Sequence, residues 1–217
     1  MTTGSQETRD ATRLAWSRSV NSEAQTLSEV TSSHPPLDDA STCGVWTEVL
    51  RGGDRILIRP IRADDVEMER RFIEGLSPTS RRFRFLDTMR SPSNELLRKL
   101  TAIDPSTDVA LVAVLDDEAH DHEIGVARFS TRPGGKECEF AVTVSDEWQN
   151  KGLGTHLMYH LIEAARRRGL ERMYSSDASG NEPMGRFAAH LHFDHARDPD
   201  DATQIVYSLD LRSPGRA

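Results

Sequence analysis

The chain has 217 residues, a formal net charge of -8 and 36% hydrophobic residues, which is enough for one domain with its own core plus extensions. The acidic balance argues against general nucleic-acid binding, and because no run of about 18 apolar residues occurs, we expect no membrane-spanning helix. The polar start of the chain lacks the apolar segment of a signal peptide, so we expect a cytoplasmic protein that binds neither nucleic acid nor membranes.

Residues 1–44 are rich in Ser, Thr and acidic residues, and their apolar residues are too sparse to form a core face. This composition predicts a disordered polar tail, with a partner-binding arm as the alternative. We expect a single domain over residues 45–211 and a frayed C-terminus at residues 212–217. Because Cys43 lies in the tail and Cys138 in a predicted core strand, we expect no structural disulfide and a reducing compartment.

The first part of the predicted domain alternates between strands and helices. A short strand is expected at residues 46–50 and a clearer one at residues 55–61, with a glycine-containing turn between them. Asp64 or Asp65 can begin a helix that ends at Gly75.

A second helix is predicted to start at Ser77, whose side chain would cap it, with Pro78 in the first turn. Three arginines follow on this helix: Arg81, Arg82 and Arg84. Such a charge run is typical of a solvated helix face, and a binding surface is the alternative.

A third helix is expected to open at residues 91–95. Residues 108–115 are almost continuously apolar, which is typical of a central strand covered on both faces. Residues 123–130 are predicted to return as a neighbouring strand.

Residues 137–144 alternate between the two sides of a half-buried strand. One side carries apolar residues: Phe140, Val142 and Val144. The other side carries Glu137, Glu139, Ala141 and Thr143. After a short loop, residues 153–168 show apolar residues at helical spacing, and Gly169 is a natural stop.

The join between this strand and this helix contains Gly152 and Gly154. Glycines let the backbone approach a ligand closely, and the first amides of a helix point outward, so the join predicts a phosphate or pyrophosphate site. The alternative is that the glycines only shape a tight turn. The third glycine of the dinucleotide fingerprint and the Gly-Lys-Ser/Thr ending of the P-loop are both missing, which excludes those two sites.

The rest of the chain predicts a strand at residues 170–175, a helix that begins at Asn181 with Pro183 in its first turn, and a closing strand at residues 204–209.

The pattern Gln149-x-x-Gly152-x-Gly154 after a strand resembles the acyl-CoA signature of the GCN5-related N-acetyltransferases, the GNAT superfamily. The resemblance covers residues 55–209. It implies an α/β (α+β) architecture, the GNAT fold, in which helices flank a mixed, largely antiparallel central sheet. It also implies acetyl-CoA as the acyl donor.

Two further stretches resemble the opening of the GNAT domain in bacterial Pat-type protein lysine acetyltransferases, which acetylate acyl-CoA synthetases. They read Arg59-Pro60-Ile61-Arg62-x-x-Asp65 and Leu76-Ser77-Pro78-x-Ser80-Arg81-x-x-Arg84-Phe85. The implied partner is a protein substrate with an acceptor lysine, of the acyl-CoA synthetase type.

Enzymes of this family transfer an acyl group from CoA directly to an amine, and a lysine with a pKa of about 10.4 must lose a proton before it attacks. A carboxylate within reach can accept that proton. The family pattern Glu-Phe-Ala-Val occurs here from Glu139 to Val142, so the resemblance implies Glu139 as the catalytic base, with Glu137 in reserve. The alternative is an ordinary solvated strand glutamate.

The resemblance also implies how the donor is bound. The amide of Val142 is expected to face the thioester carbonyl, and the loop amides are expected to meet the pyrophosphate. The expected acyl-CoA-binding residues are Val142, Thr143, Val144, Gln149, Asn150, Lys151, Gly152, Leu153, Gly154, Thr155 and Asn181. For Asn181, a simple helix N-cap is the alternative.

The chain departs from the family at the tyrosine that usually protonates the CoA thiolate, because Ala188 stands there. Water or another side chain could serve, with Tyr174 and Ser175 nearby, or the thiolate could leave unprotonated. His156 and His160 are four residues apart, but no carboxylate or cysteine completes a known ligand pattern, so we expect no metal. Cys138 is expected to be a core residue rather than a nucleophile.

Three functions follow from these patterns. The leading one is acetylation of protein lysines. The close alternative keeps the chemistry and uses a small amine, such as an aminoglycoside, a polyamine or an amino acid. The third is a sensor that binds acyl-CoA without turnover, which the missing tyrosine favours and Glu139 disfavours.

Overall fold

The structure is a computed structural model that describes residues 44–85, 91–115, 122–132 and 134–212. The predicted tail up to Cys43 and the predicted frayed end from residue 213 onward lie outside the described residues.

The described residues contain eight strands: β1 (Trp46–Val49), β2 (Arg55–Pro60), β3 (Asp108–Leu115), β4 (Glu123–Thr131), β5 (Glu137–Val144), β6 (Arg172–Ala178), β7 (Asp194–Arg197) and β8 (Gln204–Asp210). They also contain five α-helices: α1 (Val66–Gly75), α2 (Pro78–Phe85), α3 (Asn94–Thr101), α4 (Leu153–Arg167) and α5 (Glu182–His190). A 3₁₀ turn, Asp146–Trp148, lies between β5 and α4.

The strands form one sheet in the order β1-β2-β3-β4-β5-β6-β8-β7. Every neighbouring pair is antiparallel except β5 and β6, which are parallel. The expected α/β architecture, with a mixed and largely antiparallel sheet flanked by helices, is therefore confirmed. No helix of the described residues is long and apolar enough to cross a membrane.

Apolar side chains fill both faces of the sheet. On one face, Leu157 and Leu161 of α4 belong to the same buried cluster as Phe129 of β4. On the other face, α1 and α3 cover the sheet, and Phe72 belongs to the same buried cluster as Val112. Within the described residues, this second cluster contains no residue of β5 to β8. The helices on that face therefore leave one half of the sheet uncovered by apolar packing.

The strand predicted at residues 170–175 begins later, at Arg172. Gly169 has φ 72°, and the Leu170 N–H donates to the Ala165 carbonyl at 3.1 Å, so both residues still close the end of α4. The sequence did not single out β7, because all four of its residues are exposed and no hydrophobic alternation marks it.

The predicted helix caps divide into two kinds. Ser77 caps α2, since the Ser80 N–H donates to its Oγ at 3.2 Å. Ser93 caps α3 in the same way. Asp65 stands before α1 but makes no cap hydrogen bond. Its carboxylate instead accepts two hydrogen bonds from the buried Arg59 guanidinium, at 2.7 and 2.8 Å, and so fastens β2 to α1.

The arginines of α2 do not share one environment. Arg82 is exposed, as a solvated helix face requires. Arg84 is directed into the protein, where burial and the charge of Arg128 lower its pKa to about 10 and the nearby Glu69 and Glu123 oppose that shift. The expectation of a solvated face therefore holds for Arg82 and is wrong for Arg84.

Candidate active site

The strands β5 and β6 separate in the middle of the sheet. Their parallel pairing joins Glu137 to Arg172, Cys138 to Met173 and Glu139 to Tyr174, and it ends there. Beyond this point β5 continues to pair with β4, and β6 continues to pair with β8. A gap therefore opens between β5 and β6. Along this gap, β5 is hydrogen-bonded only to β4, and β6 only to β8.

Alternate backbone groups of β5 face this gap. The Ser145 N–H donates to the Ile124 carbonyl of β4 at 3.0 Å, which fixes the direction of alternation. The N–H and C=O groups of Val142 and Val144 must therefore point away from β4 and toward the gap. Consistent with this, the Val144 carbonyl accepts a hydrogen bond from Gln149 Nε2 at 3.2 Å. The Val142 amide therefore points into the gap, and its contact with a thioester carbonyl stays a prediction.

Glu139 lies at the point where the two strands separate. Its side chain is on the face opposite α4 and shares that face with Tyr174. Burial raises the pKa of the Glu139 carboxyl from 4.5 to about 7. Burial, followed by the charges of Glu139 and Glu137, raises the pKa of Tyr174 to about 12, so the phenol stays neutral. A carboxyl that titrates near neutral pH is suited to accept a proton from an amine.

Glu137, the reserve candidate, differs from Glu139 in its surroundings. It is exposed, and Arg172 Nη1 lies 3.3 Å from its Oε1. Its carboxylate therefore lies in solvent beside a guanidinium, whereas the Glu139 carboxyl is largely buried. The geometry therefore favours Glu139 as the base.

The start of α4 presents free backbone N–H groups. Gly152 has φ 92°, a left-handed conformation that glycine adopts without strain, and no side chain caps the helix. The N–H groups of Gln149 and Thr155 are engaged in turns, with Asp146 and Gly152 carbonyls at 3.4 and 3.0 Å. Among the described residues, the backbone N–H groups of residues 150–154 have no backbone hydrogen-bond partner. Residues 150–154 thus form the part of the predicted loop that can bind an anion.

Two contacts hold this loop in place. A Cβ atom at Gly154 would lie 3.2 Å from the Phe187 ring of α5, so glycine allows the two helices to approach. The Lys151 carbonyl accepts from the Arg51 N–H at 3.1 Å. The Lys151 ammonium lies 4.1 Å from the centre of the Trp148 ring. The side chain of Lys151 therefore packs over the Trp148 ring at the edge of the loop.

Thr143 shares the face of Glu139, as expected, but it is only 8% exposed, and its Oγ1 has no hydrogen-bond partner in the described residues. The helix α2 lies against β5. The outward face of β5 is therefore closed at Thr143 and partly open at Glu139.

Asn181 caps α5, because its Oδ1 accepts from the Met184 N–H at 3.2 Å. Its Nδ2 donates to the Asp177 carboxylate at 2.9 Å. Ala188, at the position of the usual tyrosine, is 2% exposed and packs in the core. The N-cap interpretation of Asn181 is thus observed, and its role in binding a donor stays a prediction.

Cys138 is fully buried, and burial raises the pKa of its thiol to about 12, which agrees with a core residue. His156 and His160 have a carboxylate neighbour that the sequence did not reveal. Glu48 Oε1 of β1 is hydrogen-bonded to His160 Nε2 at 2.9 Å, and its Oε2 lies 3.2 Å from His156 Nδ1. In the part of the chain that the structure describes, no group of three or more His, Cys, Asp or Glu side chains is arranged to hold a metal ion.

The sequence analysis also missed Asp146, which lies in the loop before α4. Its carboxylate accepts hydrogen bonds from Ser77 and Ser80 at the start of α2. The Ser77 cap was recognised, but no local pattern connects it to a residue 69 positions away in the chain.

Three comparisons place this fold among known proteins. The model of the family described as "Acetyltransferase (GNAT) family" matches residues 78–193. The acetyltransferase PA5475 of Pseudomonas aeruginosa is 42% identical over 166 residues, which are 76% of this chain and 89% of that protein. The acetyltransferase Pat of Mycolicibacterium smegmatis is 30% identical over 146 residues, which are 65% of this chain and only 42% of that protein.

Among solved structures, the GNAT domain of S. lividans PAT superposes with a TM-score of 0.70 at 25% identity. The match covers 76% of this chain and 96% of that domain.

Proposed function

The chain belongs to the GNAT family of acetyltransferases, which transfer an acyl group to an amine, and on that premise we propose that its acceptor is a lysine side chain of a protein. Acetyl-CoA is the proposed donor, and Glu139 is the proposed general base. The observation that carries the proposal is the position of Glu139, which lies at the split between β5 and β6 beside an uncovered face of the sheet.

The described residues fit a CoA donor. Its pyrophosphate would meet the free N–H groups of residues 150–154 at the start of α4, where the helix dipole favours negative charge. Its pantetheine arm carries amides, which can pair with the edge of β5 that faces the gap. Acetyl-CoA supplies the activated acetyl group as a thioester.

Proton transfer comes first in the proposed reaction. A lysine reaches the site as an ammonium ion, and the Glu139 carboxylate takes one proton from it, directly or through one water. With its pKa raised to about 7 by burial, Glu139 is ionised in a large part of the molecules at neutral pH and is still basic enough to hold the proton.

The neutral amine then attacks the thioester carbon. A C–N bond forms, and negative charge builds on the carbonyl oxygen. The Val142 N–H, which points away from β4 at the edge of β5, is the proposed donor to that oxygen. The C–S bond breaks as the carbonyl re-forms, and the nitrogen gives up a second proton to the departing sulfur or to water. Because a thiol has a pKa of about 8.5, its thiolate can leave without an acid, which is compatible with Ala188.

The shape of the acceptor side supports a protein substrate. The side chains of Tyr174, Ser176 and Ser208 share the face of Glu139 and are only half-buried. The residues of β7, at the far edge of the same sheet, are exposed. In the described residues, no apolar helix packing covers β5 to β8 on this face, so a protein surface could approach it. The likeness to Pat and the GNAT domain of PAT also supports this choice.

The test is acetyl transfer from acetyl-CoA to a purified acyl-CoA synthetase, with the modified protein detected by its mass. The same assay would offer a polyamine and an aminoglycoside as competing acceptors and would include Glu139→Gln. Acetylation of a lysine of the synthetase, lost in Glu139→Gln, is the expected result. Thiol release with the small amines and no protein labelling would instead identify a small-molecule acetyltransferase, and CoA binding without turnover would identify a sensor.

A further inference from the structure

Asp194, the first residue of β7, faces the side of the sheet that carries the proposed base. Its neighbours in the chain face the other side. The Phe193 ring lies 5.1 Å from the Phe140 ring, and both residues belong to the core cluster that α4 covers. The His195 ring lies 6.5 Å from the ring of Tyr207, which belongs to the same cluster. Because side chains alternate along an extended chain, Asp194 projects from the face without apolar helix packing.

Four side chains form one row across this face. The strand register pairs Glu139 with Tyr174, Tyr174 with Ser208, and Ser208 with Asp194. Neighbouring strands lie about 4.8 Å apart, so the carboxylates at the two ends of the row are about 14 Å apart. The two residues between them are half-buried and carry hydroxyl groups, which can donate to or accept from a peptide backbone.

The outer end of the row differs from two other carboxylates of the same face. Glu137 lies 3.3 Å from Arg172, and Asp210 lies 2.7 Å from Arg212, so each of them has a cationic partner. Asp194 is exposed, and among the described residues no hydrogen bond or ion pair engages its carboxylate. A cationic group of an approaching chain can therefore pair with Asp194 without displacing another partner.

We propose that Asp194 selects acceptor segments that carry a second basic residue near the acceptor lysine. The inference rests on the proposed function, because it places a protein lysine at Glu139, and it adds the sequence context of that lysine. An arginine or a lysine of the acceptor pairs with Asp194 while the acceptor lysine reaches Glu139. Asp194 thus determines specificity and takes no part in the proton transfer.

The length of the row sets the spacing between the two basic residues. An extended chain advances about 3.4 Å per residue, and its alternate side chains share one side. Residues four positions apart therefore lie on the same side and about 14 Å apart, which matches the distance between the two carboxylates. The backbone between them passes over Tyr174 and Ser208. We therefore expect the second basic residue four positions from the acceptor lysine.

The first test is acetyl transfer from acetyl-CoA to a purified acyl-CoA synthetase, with kcat and KM for the synthetase measured in the wild type and in Asp194→Asn. Loss of one exposed ion pair should raise KM about three- to fivefold and leave kcat unchanged. Added salt should reduce the difference between the two enzymes, because it screens the pair.

Glu163→Gln is the matched control. It removes the same charge from α4, which covers the opposite face of the sheet, where Glu163 lies 3.4 Å from Arg167. If Asp194 acts by local pairing rather than through the net charge of the protein, this control should leave KM unchanged.

The second test uses peptides with blocked termini that contain one lysine and one arginine among glycine, serine and alanine. The arginine stands two, four or six positions from the lysine on either side, or is absent, so that only the lysine can be acetylated. The wild type should have its lowest KM at a spacing of four, and Asp194→Asn should lose this preference. Asp194→Arg should instead prefer a glutamate over the arginine at that spacing.

The outcomes separate this inference from the proposed function. Equal KM values of the wild type and Asp194→Asn for the synthetase, or no preference of the wild type for a spacing of four, would overturn the inference alone. Acetylation of the synthetase without acetylation of any peptide would also overturn it, because the acceptor would then be bound as a folded surface. If the wild type acetylates neither the synthetase nor any peptide, the proposed function fails and the inference fails with it.

Discussion

Glu139 and Tyr174 form the last paired position between β5 and β6, and the two strands separate immediately beyond them. On its paired side, the sheet buries the Glu139 carboxyl and raises its pKa to about 7. On the other side, the gap gives access to the edge of β5. The sheet therefore raises the pKa of the proposed base at the point where a donor could reach it.

Replacement of Glu139 by glutamine should stabilise the protein at alkaline pH. The folded-state pKa of Glu139 is raised from 4.5 to about 7, so its contribution to stability is fully present below the unfolded value and is lost as the pH rises through 7. The loss is on the order of 3 kcal/mol. Glu139→Gln has no proton to lose, so the excess of its melting temperature over that of the wild type should grow as the pH rises from about 4.5 through 7 and level off above that.

The matched control for this experiment is Glu137→Gln, on the same face of the same strand. Glu137 is exposed and pairs with Arg172, so its replacement removes a solvated carboxylate. It should produce no gain in melting temperature at alkaline pH. An equal gain in both variants would show that net charge, rather than the burial of Glu139, is responsible.

Gly152→Ala should weaken the binding of CoA by about tenfold. At φ 92° an alanine is strained, although no atom lies within 4 Å of the added Cβ, and the strain of about 1–2 kcal/mol should displace the first turn of α4. Titration calorimetry with CoA measures the effect.

Gly169→Ala is the control for Gly152→Ala, because Gly169 closes the other end of α4 with φ 72° and is equally open. Both variants should lose similar stability, and only Gly152→Ala should lose CoA affinity. Equal affinities would mean that the start of α4 does not bind the pyrophosphate.

Asp65→Ala should lower the free energy of unfolding by about 3–5 kcal/mol, because it leaves the buried Arg59 guanidinium without its carboxylate. Urea unfolding of Asp65→Ala, Arg59→Leu and the double variant gives the coupling between the two side chains. The double variant should lose less than the sum of the two single losses. Strict additivity would contradict the bidentate pair.

Lys99→Ala provides the comparison for the buried pair. Lys99 and Glu95 form an ion pair of 2.9 Å on the surface of α3. Because water screens this pair, its loss should leave the urea midpoint unchanged within error.

Local patterns were enough to predict most of the secondary structure. The alternation at residues 137–144 and the helical spacing that follows Gly152 gave β5 and α4 almost to the residue. Those predictions succeeded because each pattern reports burial within one element. Exposed β7 was missed for the same reason, since four exposed residues carry no such pattern.

Contacts between distant parts of the chain could not be predicted from the sequence. Nothing in the local pattern connects Asp146 with Ser77, or Glu48 with His160. The raised pKa of Glu139 also depends on how far β6 runs beside β5, which is a property of the assembled sheet. The resemblance supplied Glu139 as a candidate, and the geometry supplies a physical reason for its proposed role.

The most direct test of this account is the pH dependence of kcat/KM for acetyl transfer to a protein lysine, in the wild type and in Glu139→Gln. The wild-type value should rise with pH and level off after an inflection near 7, because Glu139 must be ionised to accept the proton. Glu139→Gln should be slower by about 10²–10⁴-fold and should lack the inflection. A variant with nearly wild-type activity, or with the same inflection, would contradict the assignment of Glu139 as the base.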